Sequence, residues 1–65
     1  MNFSENLKLL RQAKGVTQTA LAQYLNTTLK SVSHWETGYT EPSISQLIAI
    51  ADYFDVSLDE LLGRE

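Results

Sequence analysis

Apolar residues of this chain recur at spacings of three and four in five segments, with turn-forming residues between the segments. This spacing places them on one face of an α-helix. The five apolar sets are Phe3, Leu7 and Leu10; Leu21, Ala22 and Leu25; Val32 and Trp35; Ile44, Leu47, Ile48, Ala51 and Phe54; and Leu58, Leu61 and Leu62. No segment shows the alternating pattern of a strand bounded by turn residues. The pattern therefore predicts an all-α fold, with five short helices packed in one compact domain over residues 1–65.

Residues that favour helix ends flank each predicted helix. Side chains suited to the N-cap position, where they accept hydrogen bonds from free backbone amides, precede every apolar set. They are Asn2 or Ser4, Thr17, Thr28, Ser43 and Ser57, and the last two open the capping boxes Ser43-x-x-Gln46 and Ser57-x-x-Glu60. Gly15, Asn26, Gly38 and Gly63 stand where the chain must turn. Glycine and asparagine tolerate the positive φ that such turns require.

Composition excludes several classes of protein. The 65 residues include no cysteine and one histidine, so neither a disulfide framework nor a multi-ligand zinc site is expected. No apolar run approaches the length of a membrane span, and the first residues do not resemble a secretory signal. Asp52 and Asp55 are better explained as a solvated helix face than as a catalytic pair. We therefore expect a soluble, cytoplasmic protein that is not an enzyme and has no cofactor.

The charge of the chain is unevenly distributed. Residues 1–40 contain four basic and two acidic side chains, whereas residues 41–65 contain one basic and six acidic ones. The local charges of +2 and −5 account for the formal net charge of −3. Nucleic-acid-binding domains are usually basic, so the total argues against that function. The asymmetry favours an electropositive face in the first half, although chance explains it equally well in so short a chain.

The segment from Thr17 to Thr40, TQTALAQYLNTTLKSVSHWETGYT, has the most informative spacing. It predicts two helices joined by a three- or four-residue turn at Asn26, with the small Ala22 where the helices approach closely. Val32 and Trp35 form the buried side of the second helix. This arrangement is typical of a helix-turn-helix over about residues 17–37, although many helical hairpins share part of it.

The order of motifs along the chain is more specific than the spacing alone. T-Q-x-x-L-A-x-x-L is followed by S-V-S-H-W-E-T-G, then by P-S and finally by D-V-S-L-D-E-L-L-G. From Phe3 to Gly63 the chain resembles the Cro and lambda-repressor-like helix-turn-helix family. The resemblance implies a five-helix domain that binds operator DNA as a dimer, usually repressing transcription in bacteria or their phages. The chain departs from the family pattern at Thr19 and Ala20, where an acidic residue is usual, and at Thr28-Leu29-Lys30, so no target sequence is implied.

Base contacts are expected from the second helix of the motif, because its N-terminal residues meet base edges in the major groove. The residues predicted at its tip and on its outward side are Thr28, Leu29, Lys30, Ser33 and His34. Lys30 can donate to guanine O6 and N7, and Leu29 can contact a thymine methyl group. Ser33 and His34 can donate or accept. Without the surrounding motif, all of these would be interpreted as ordinary surface residues.

Phosphate contacts are expected at the edges of the motif. Thr17 and Gln18 begin the first helix of the motif, where free amides and the helix dipole favour an anion. The resemblance implies further phosphate contacts from the loop after the second helix, which contains Thr37, Gly38, Tyr39 and Thr40. For Tyr39, covering the edge of the core is an equally good interpretation.

Two further residues are assigned a structural role by the resemblance. It implies a buried ion pair between Arg11 and Glu36, tying the first helix to the end of the third. A pair on the surface would contribute less than about 1 kcal/mol, whereas removing one member of a desolvated pair costs about 3–5 kcal/mol.

A single domain of this size reads few base pairs. We therefore expect a homodimer, weak or formed only on DNA, on a palindromic operator of double-stranded DNA. The candidate dimer surface consists of the exposed members of Leu58, Leu61, Leu62 and Ile50. Leu58 and Leu61 are nevertheless expected to fill the core. The acidic helices of the second half are expected to face away from the DNA.

Three functions fit these observations. The first is a sequence-specific transcriptional regulator, a repressor of phage or bacterial origin. The second is the DNA-binding antitoxin of a toxin–antitoxin pair, which usually has an additional segment for the toxin; a complete chain ending at Glu65 would favour the first function. The third is a protein-interaction module that no longer binds DNA, which the pI of about 4.9 suggests.

Overall fold

The computed structural model describes residues 2–64, and these form five helices. The helices are α1 (Phe3–Ala13), α2 (Gln18–Tyr24), α3 (Leu29–Thr37), α4 (Ile44–Phe54) and α5 (Leu58–Leu62). No strand occurs between residues 2 and 64, and the all-α fold predicted from the sequence is confirmed. Helix α3 packs against α1 and α2, and α5 packs against α1 and α4. None of the described helices is both long and apolar enough to cross a lipid bilayer.

Every helix begins at a side chain that accepts a hydrogen bond from a free backbone amide. The N-cap residues are Asn2, Thr17, Thr28, Ser43 and Ser57. Asn2, and not Ser4, is therefore the cap of α1. Both predicted capping boxes are present, because the side chains of Gln46 and Glu60 return hydrogen bonds to the N-cap amides. Each such cap stabilises its helix by about 0.5–2 kcal/mol relative to alanine.

Two left-handed residues other than glycine redirect the chain. Asn26, between α2 and α3, and Asp55, between α4 and α5, both have a φ of 55°. At the first of these turns the Thr27 amide donates to the Ala22 carbonyl over 2.9 Å. Short polar side chains occupy this conformation at lower cost than other non-glycine residues. The turn at Asn26 brings α3 back against α2 within four residues.

The core receives one fully buried side chain from each helix. These five side chains are Leu7, Leu21, Val32, Ile50 and Leu61. Phe3, Ala22, Trp35, Ala51 and Phe54 complete the buried cluster. Trp35 is the largest of the ten, and burial of an aromatic side chain this size stabilises a fold strongly. Helix α3 is therefore held by Val32 and Trp35 on one side, which leaves its other side free.

The predicted buried face of α4 is partly wrong. Ile44 and Ile48 were expected to point inward, but Ile44 is 77% exposed and Ile48 is also exposed. Conversely, Ile50 was a candidate for the dimer surface and is fully buried. Apolar residues occur on most sides of α4, so a stripe through Ile44 and Ile48 overlaps with the stripe through Ile50 and Phe54 that is actually buried. Ile44 is also the first residue of the helix, and its side chain leans toward the N-terminus, past the core.

The predicted buried face of α5 is wrong at one residue. Leu58 was expected to fill the core and is exposed, whereas Leu61 is fully buried and Leu62 is half-buried. Leu58 is the first residue of its helix, as Ile44 is of α4. The apolar surface that α5 leaves exposed is therefore Leu58 with part of Leu62.

Candidate nucleic-acid interface

Helices α2 and α3 form a helix-turn-helix, with a four-residue turn from Leu25 to Thr28. Ala22 is buried at the approach of the two helices, where a larger side chain would separate them. The cap of α3 is provided by Thr28, whose hydroxyl accepts from the Ser31 amide and also pairs with the Ser31 hydroxyl. These two hydrogen bonds hold the first turn of α3 and define the residue at which the helix begins.

A buried polar network fixes the other end of α3. Arg11 of α1 donates to both carboxylate oxygens of Glu36, over 2.6 Å from Nε and 3.1 Å from Nη2. The Gln18 side-chain amide donates to the same carboxylate over 2.9 Å, and Arg11 Nη1 donates to the Val16 carbonyl. The side chain of Glu36 is only 3% exposed and that of Arg11 is 13% exposed. Arg11, Gln18, Glu36 and the Val16 carbonyl are called the buried network below.

The buried network acts on both ends of the motif. The hydrogen bonds with Glu36 raise the pKa of Arg11 above its ordinary value, although burial opposes this shift. Arg11 therefore keeps its charge, and the bidentate geometry sets the orientation of the two side chains. Because Gln18 is the first residue of α2, the network also joins the start of α2 to the end of α3. The relative position of these two helices is thus constrained at their far ends as well as at the turn.

The opposite side of α3 presents one apolar and three polar side chains, none of which forms a side-chain hydrogen bond or ion pair with a buried group in the described part of the chain. Leu29 is 49% exposed and Lys30 is exposed, while Ser33 and His34 are half-buried. Among residues 2–64, Lys30 takes part in no ion pair. Leu29, Lys30, Ser33 and His34 are called the exposed face of α3 below. Thr28 lies at the same end of the helix, but its hydroxyl is engaged in the cap.

The loop after α3 begins with a left-handed glycine. Gly38 has a φ of 80°, its amide donates to the Trp35 carbonyl, and the Tyr39 amide donates to the His34 carbonyl over 2.9 Å. The Gly38 amide, a predicted phosphate donor, is therefore engaged inside the helix end. Tyr39 is 76% exposed and does not cover the edge of the core, so that interpretation is wrong.

The side chains of the loop after α3 differ in the contacts that they make within the protein. Thr37 and Thr40 are both exposed, and the Thr37 hydroxyl donates to the His34 carbonyl. The Tyr39 ring lies against His34, with ring centroids 4.7 Å apart.

The start of α2 is arranged differently from the prediction. The Thr17 hydroxyl accepts from the Ala20 amide, and the Gln18 side chain is directed to Glu36 in the buried network. The sequence predicted a phosphate contact for Gln18 and indicated no partner for its side chain within the protein. Its spacing of 18 residues from Glu36 carries no local signal that could have indicated the contact.

Known proteins share this arrangement of helices. A family model described as helix-turn-helix matches residues 7–61, which include all of α2 and α3 and most of the core. The chain belongs to the Cro/C1-type helix-turn-helix family.

Relatives within this helix-turn-helix family include both activators and repressors. The chain is 40% identical over 65 residues to the HTH-type transcriptional activator BcrR of Enterococcus faecalis, covering all of this chain and 32% of BcrR. It is 36% identical over 64 residues to the cryptic phage CTXphi transcriptional repressor RstR of Vibrio cholerae, covering 98% of this chain and 57% of RstR. The chain thus spans about a third of one relative and just over half of the other.

Solved structures of the family agree with the fold described above. The P22 c2 repressor, crystallised in complex with a synthetic operator, superimposes with a TM-score of 0.90 at 26% identity. The match covers 100% of this chain and 98% of the P22 chain. The lambda-repressor-like arrangement of five helices predicted from the sequence is thereby confirmed.

Proposed function

We propose that this helix-turn-helix protein is a sequence-specific, non-enzymatic regulator of transcription that binds double-stranded DNA, most simply a cytoplasmic repressor of phage or bacterial origin. In this proposal α3 enters the major groove. The relatives named as transcriptional regulators and the P22 repressor–operator complex support it. The direction of regulation is proposed from the repressor relatives, since BcrR is named as an activator.

The observation that carries the proposal is the exposed face of α3. Its N-terminal half presents Leu29 and Lys30 to solvent, while Val32 and Trp35 on the other side are buried. An α-helix with one side anchored and the other polar and open fits the major groove of B-DNA, where base edges are distinguishable. Lys30 supplies a donor for guanine, and Leu29 supplies an apolar contact for thymine. Ser33 and His34 add donors and acceptors one turn further along.

Phosphate contacts are proposed on both flanks of α3. The side chains of Thr37, Tyr39 and Thr40 are exposed after the helix, and Thr17 is exposed at the start of α2. Since the amide of Gly38, the side-chain amide of Gln18 and the hydroxyl of Thr37 all donate to groups within the protein, the hydroxyl groups of Thr17 and Thr40 are the better donors. The logarithm of the binding constant falls against the logarithm of the salt concentration with a slope of about −0.9 per phosphate neutralised. Because residues 1–40 contain few lysines, we expect a modest slope.

We also propose that the protein binds a palindromic operator as a homodimer. One α3 helix covers only a few base pairs, and a two-fold arrangement doubles the recognised length. Leu58 and the partly exposed Leu62 are the apolar residues of α5 available for self-association, and the acidic residues of α4 and α5 then lie away from the phosphates. Sedimentation of the chain with and without its duplex measures the stoichiometry; one chain per duplex contradicts this part.

The proposal is tested by selecting duplexes from a randomised library with the wild-type chain. A shared sequence motif is expected among the selected duplexes, and affinity for the best of them is expected to fall with added salt. Lys30→Ala should weaken binding at guanine positions, at a cost of about 1–3 kcal/mol. Arg64→Ala is the matched control, because it removes one positive charge from the acidic half of the chain.

Two results would contradict the proposal. One is a selection that yields no shared motif, which would favour a protein-interaction module. The other is a Lys30→Ala variant with the same affinity and sequence preference as Arg64→Ala, which would remove α3 as the recognition element.

A further inference from the structure

We propose that Tyr39 is a specificity-determining positioning residue, which acts by holding the His34 imidazole in place on the exposed face of α3. The inference rests on the proposed DNA-binding function and extends it. It gives the exposed ring of Tyr39 a role distinct from a phosphate contact. The proposal stands on the geometry of the helix end, on the contact between the two rings and on the position of His34 relative to Lys30.

The geometry of the helix end leads directly to the ring contact. Gly38 is left-handed, its amide donates to the Trp35 carbonyl, and the Tyr39 amide donates to the His34 carbonyl over 2.9 Å. These two hydrogen bonds define a Schellman motif, in which the residue after the glycine commonly packs against the residue five positions earlier. In this chain those two residues are Tyr39 and His34. The backbone therefore delivers the Tyr39 ring to the imidazole.

The contact between the rings is specific in distance and angle. The centroids are 4.7 Å apart and the planes are inclined by 61°, an edge-to-face arrangement. Aromatic pairs prefer this geometry, and it adds about 0.5–1.5 kcal/mol beyond the burial of surface. The His34 carbonyl is fixed as well, since it accepts from the Thr37 hydroxyl and from the amides of Tyr39 and Thr40. Both the backbone and the ring of His34 are thus restrained from the loop side.

Tyr39 has no comparable role in the core. It is 76% exposed and is absent from the buried cluster and from the apolar residues packed around that cluster. An aromatic ring left this open gains little from burial, so its position is set by the helix end and by His34. Its phenol group remains in solvent and is not needed for the ring contact.

The position of His34 gives the contact a consequence for recognition. His34 follows Lys30 by four residues, so the two side chains are neighbours along the same face of α3. A free imidazole rotates between several staggered orientations, which directs its nitrogen atoms to different places. With Tyr39 against one side, fewer orientations remain. A base contact from His34 is then made without first ordering the ring, which increases discrimination between base pairs.

The experiment compares Tyr39→Ala, Tyr39→Phe, His34→Ala and the double variant with alanine at both positions. Binding is measured on the duplex selected by the wild-type chain and on its single-base-pair variants. Tyr39→Ala is expected to reduce discrimination about 2- to 10-fold, in line with the strength of an aromatic pair, at the base pairs affected by His34→Ala. Tyr39→Phe is expected to behave like the wild type, and the double variant like His34→Ala.

Three results would overturn the proposal. Tyr39→Phe losing as much as Tyr39→Ala would show that the phenol group itself makes the contact. A uniform loss over all duplexes would indicate a phosphate contact. Additive losses in the double variant would show that the two residues act independently.

A second measurement needs no DNA and separates this inference from the proposed function. In the free chain, the Tyr39 ring current is expected to shift the imidazole proton resonances of His34. That shift should vanish in Tyr39→Ala and remain in Tyr39→Phe. Imidazole shifts that are unchanged in Tyr39→Ala would end the positioning role even if operator binding is established. Shifts that behave as expected in a chain that binds no DNA would instead contradict the proposed function.

Discussion

Glu36 and Lys30 are both charged residues of α3, but their surroundings are opposite. Glu36 lies in the buried network, where Arg11 and Gln18 supply three hydrogen bonds and leave its side chain almost without contact with water. Lys30 lies on the exposed face, six residues earlier, and forms no ion pair among the described residues. The same helix therefore has one set of polar groups satisfied within the protein and another exposed to solvent.

This difference separates the residues that fix the position of α3 from the residues that are proposed to contact DNA. A buried carboxylate is tolerated only when its partners are in place, so Glu36 ties α3 to α1 and α2 in one orientation. The exposed face has no such constraint and is free to differ in sequence without altering the fold. Substitutions on the two sides should accordingly affect different measurements, stability on one side and DNA recognition on the other.

The largest effect is expected from breaking the buried network. Glu36→Gln removes the charge that Arg11 pairs with and leaves the guanidinium largely desolvated, at a cost of about 3–5 kcal/mol in unfolding free energy. Thermal and urea unfolding measure this change. Asp52→Asn, at an exposed carboxylate of α4, is the control and should stay within about 0.5 kcal/mol. Equal stability of the two variants would mean that the network behaves as a surface pair.

The apolar residues of α3 should divide in the same way. Val32→Ala creates space in the core and is expected to lower stability by about 0.5–3 kcal/mol. Leu29→Ala should leave stability nearly unchanged but weaken the preference for thymine over uracil in the selected duplex, since uracil lacks the methyl group. The division fails if Leu29→Ala destabilises the chain as much as Val32→Ala does.

A smaller effect is expected at Gln18, which sharpens the boundary between the two sides. Gln18→Ala removes one hydrogen bond to Glu36 and should lower unfolding free energy by about 1 kcal/mol. If the Gln18 side chain serves only the buried network, the variant should bind DNA less tightly only where part of it is unfolded. Well below its melting temperature, its DNA affinity should equal that of the wild type. A loss of affinity that persists there would restore the phosphate contact predicted for Gln18.

The ends of the helices were predictable from sequence because their signals are local. The hydroxyl or amide of an N-cap residue reaches an amide only three residues away, and all five caps follow this spacing. The turn at Asn26 is local in the same sense. The phase of α4 was not predictable, because its apolar residues surround most of the helix and only packing against the other helices selects the buried stripe.

The candidate site was predictable in its residue types but not in its contacts. Sequence spacing placed Lys30 and Leu29 on the outward side of α3, where the structure has them. The partner of Gln18 lies 18 residues away, and Glu36 and Arg11 are separated by 25 residues. Such distances carry no periodic signal, so the ion pair was suggested only by resemblance. The ring contact of Tyr39 could have been predicted, since a glycine at the end of a helix commonly brings the next residue back onto it.

The most direct test of the account is an amide chemical-shift titration of the isotope-labelled chain with the selected duplex. The largest changes are expected at residues 28–34 and 37–40, with smaller changes around Leu58 and Leu62, where the two protomers are proposed to meet, and with the amides of α4 little affected. The largest changes on the outward side of α4, around Ile44 and Asp52, would contradict the claim that α3 is the recognition helix.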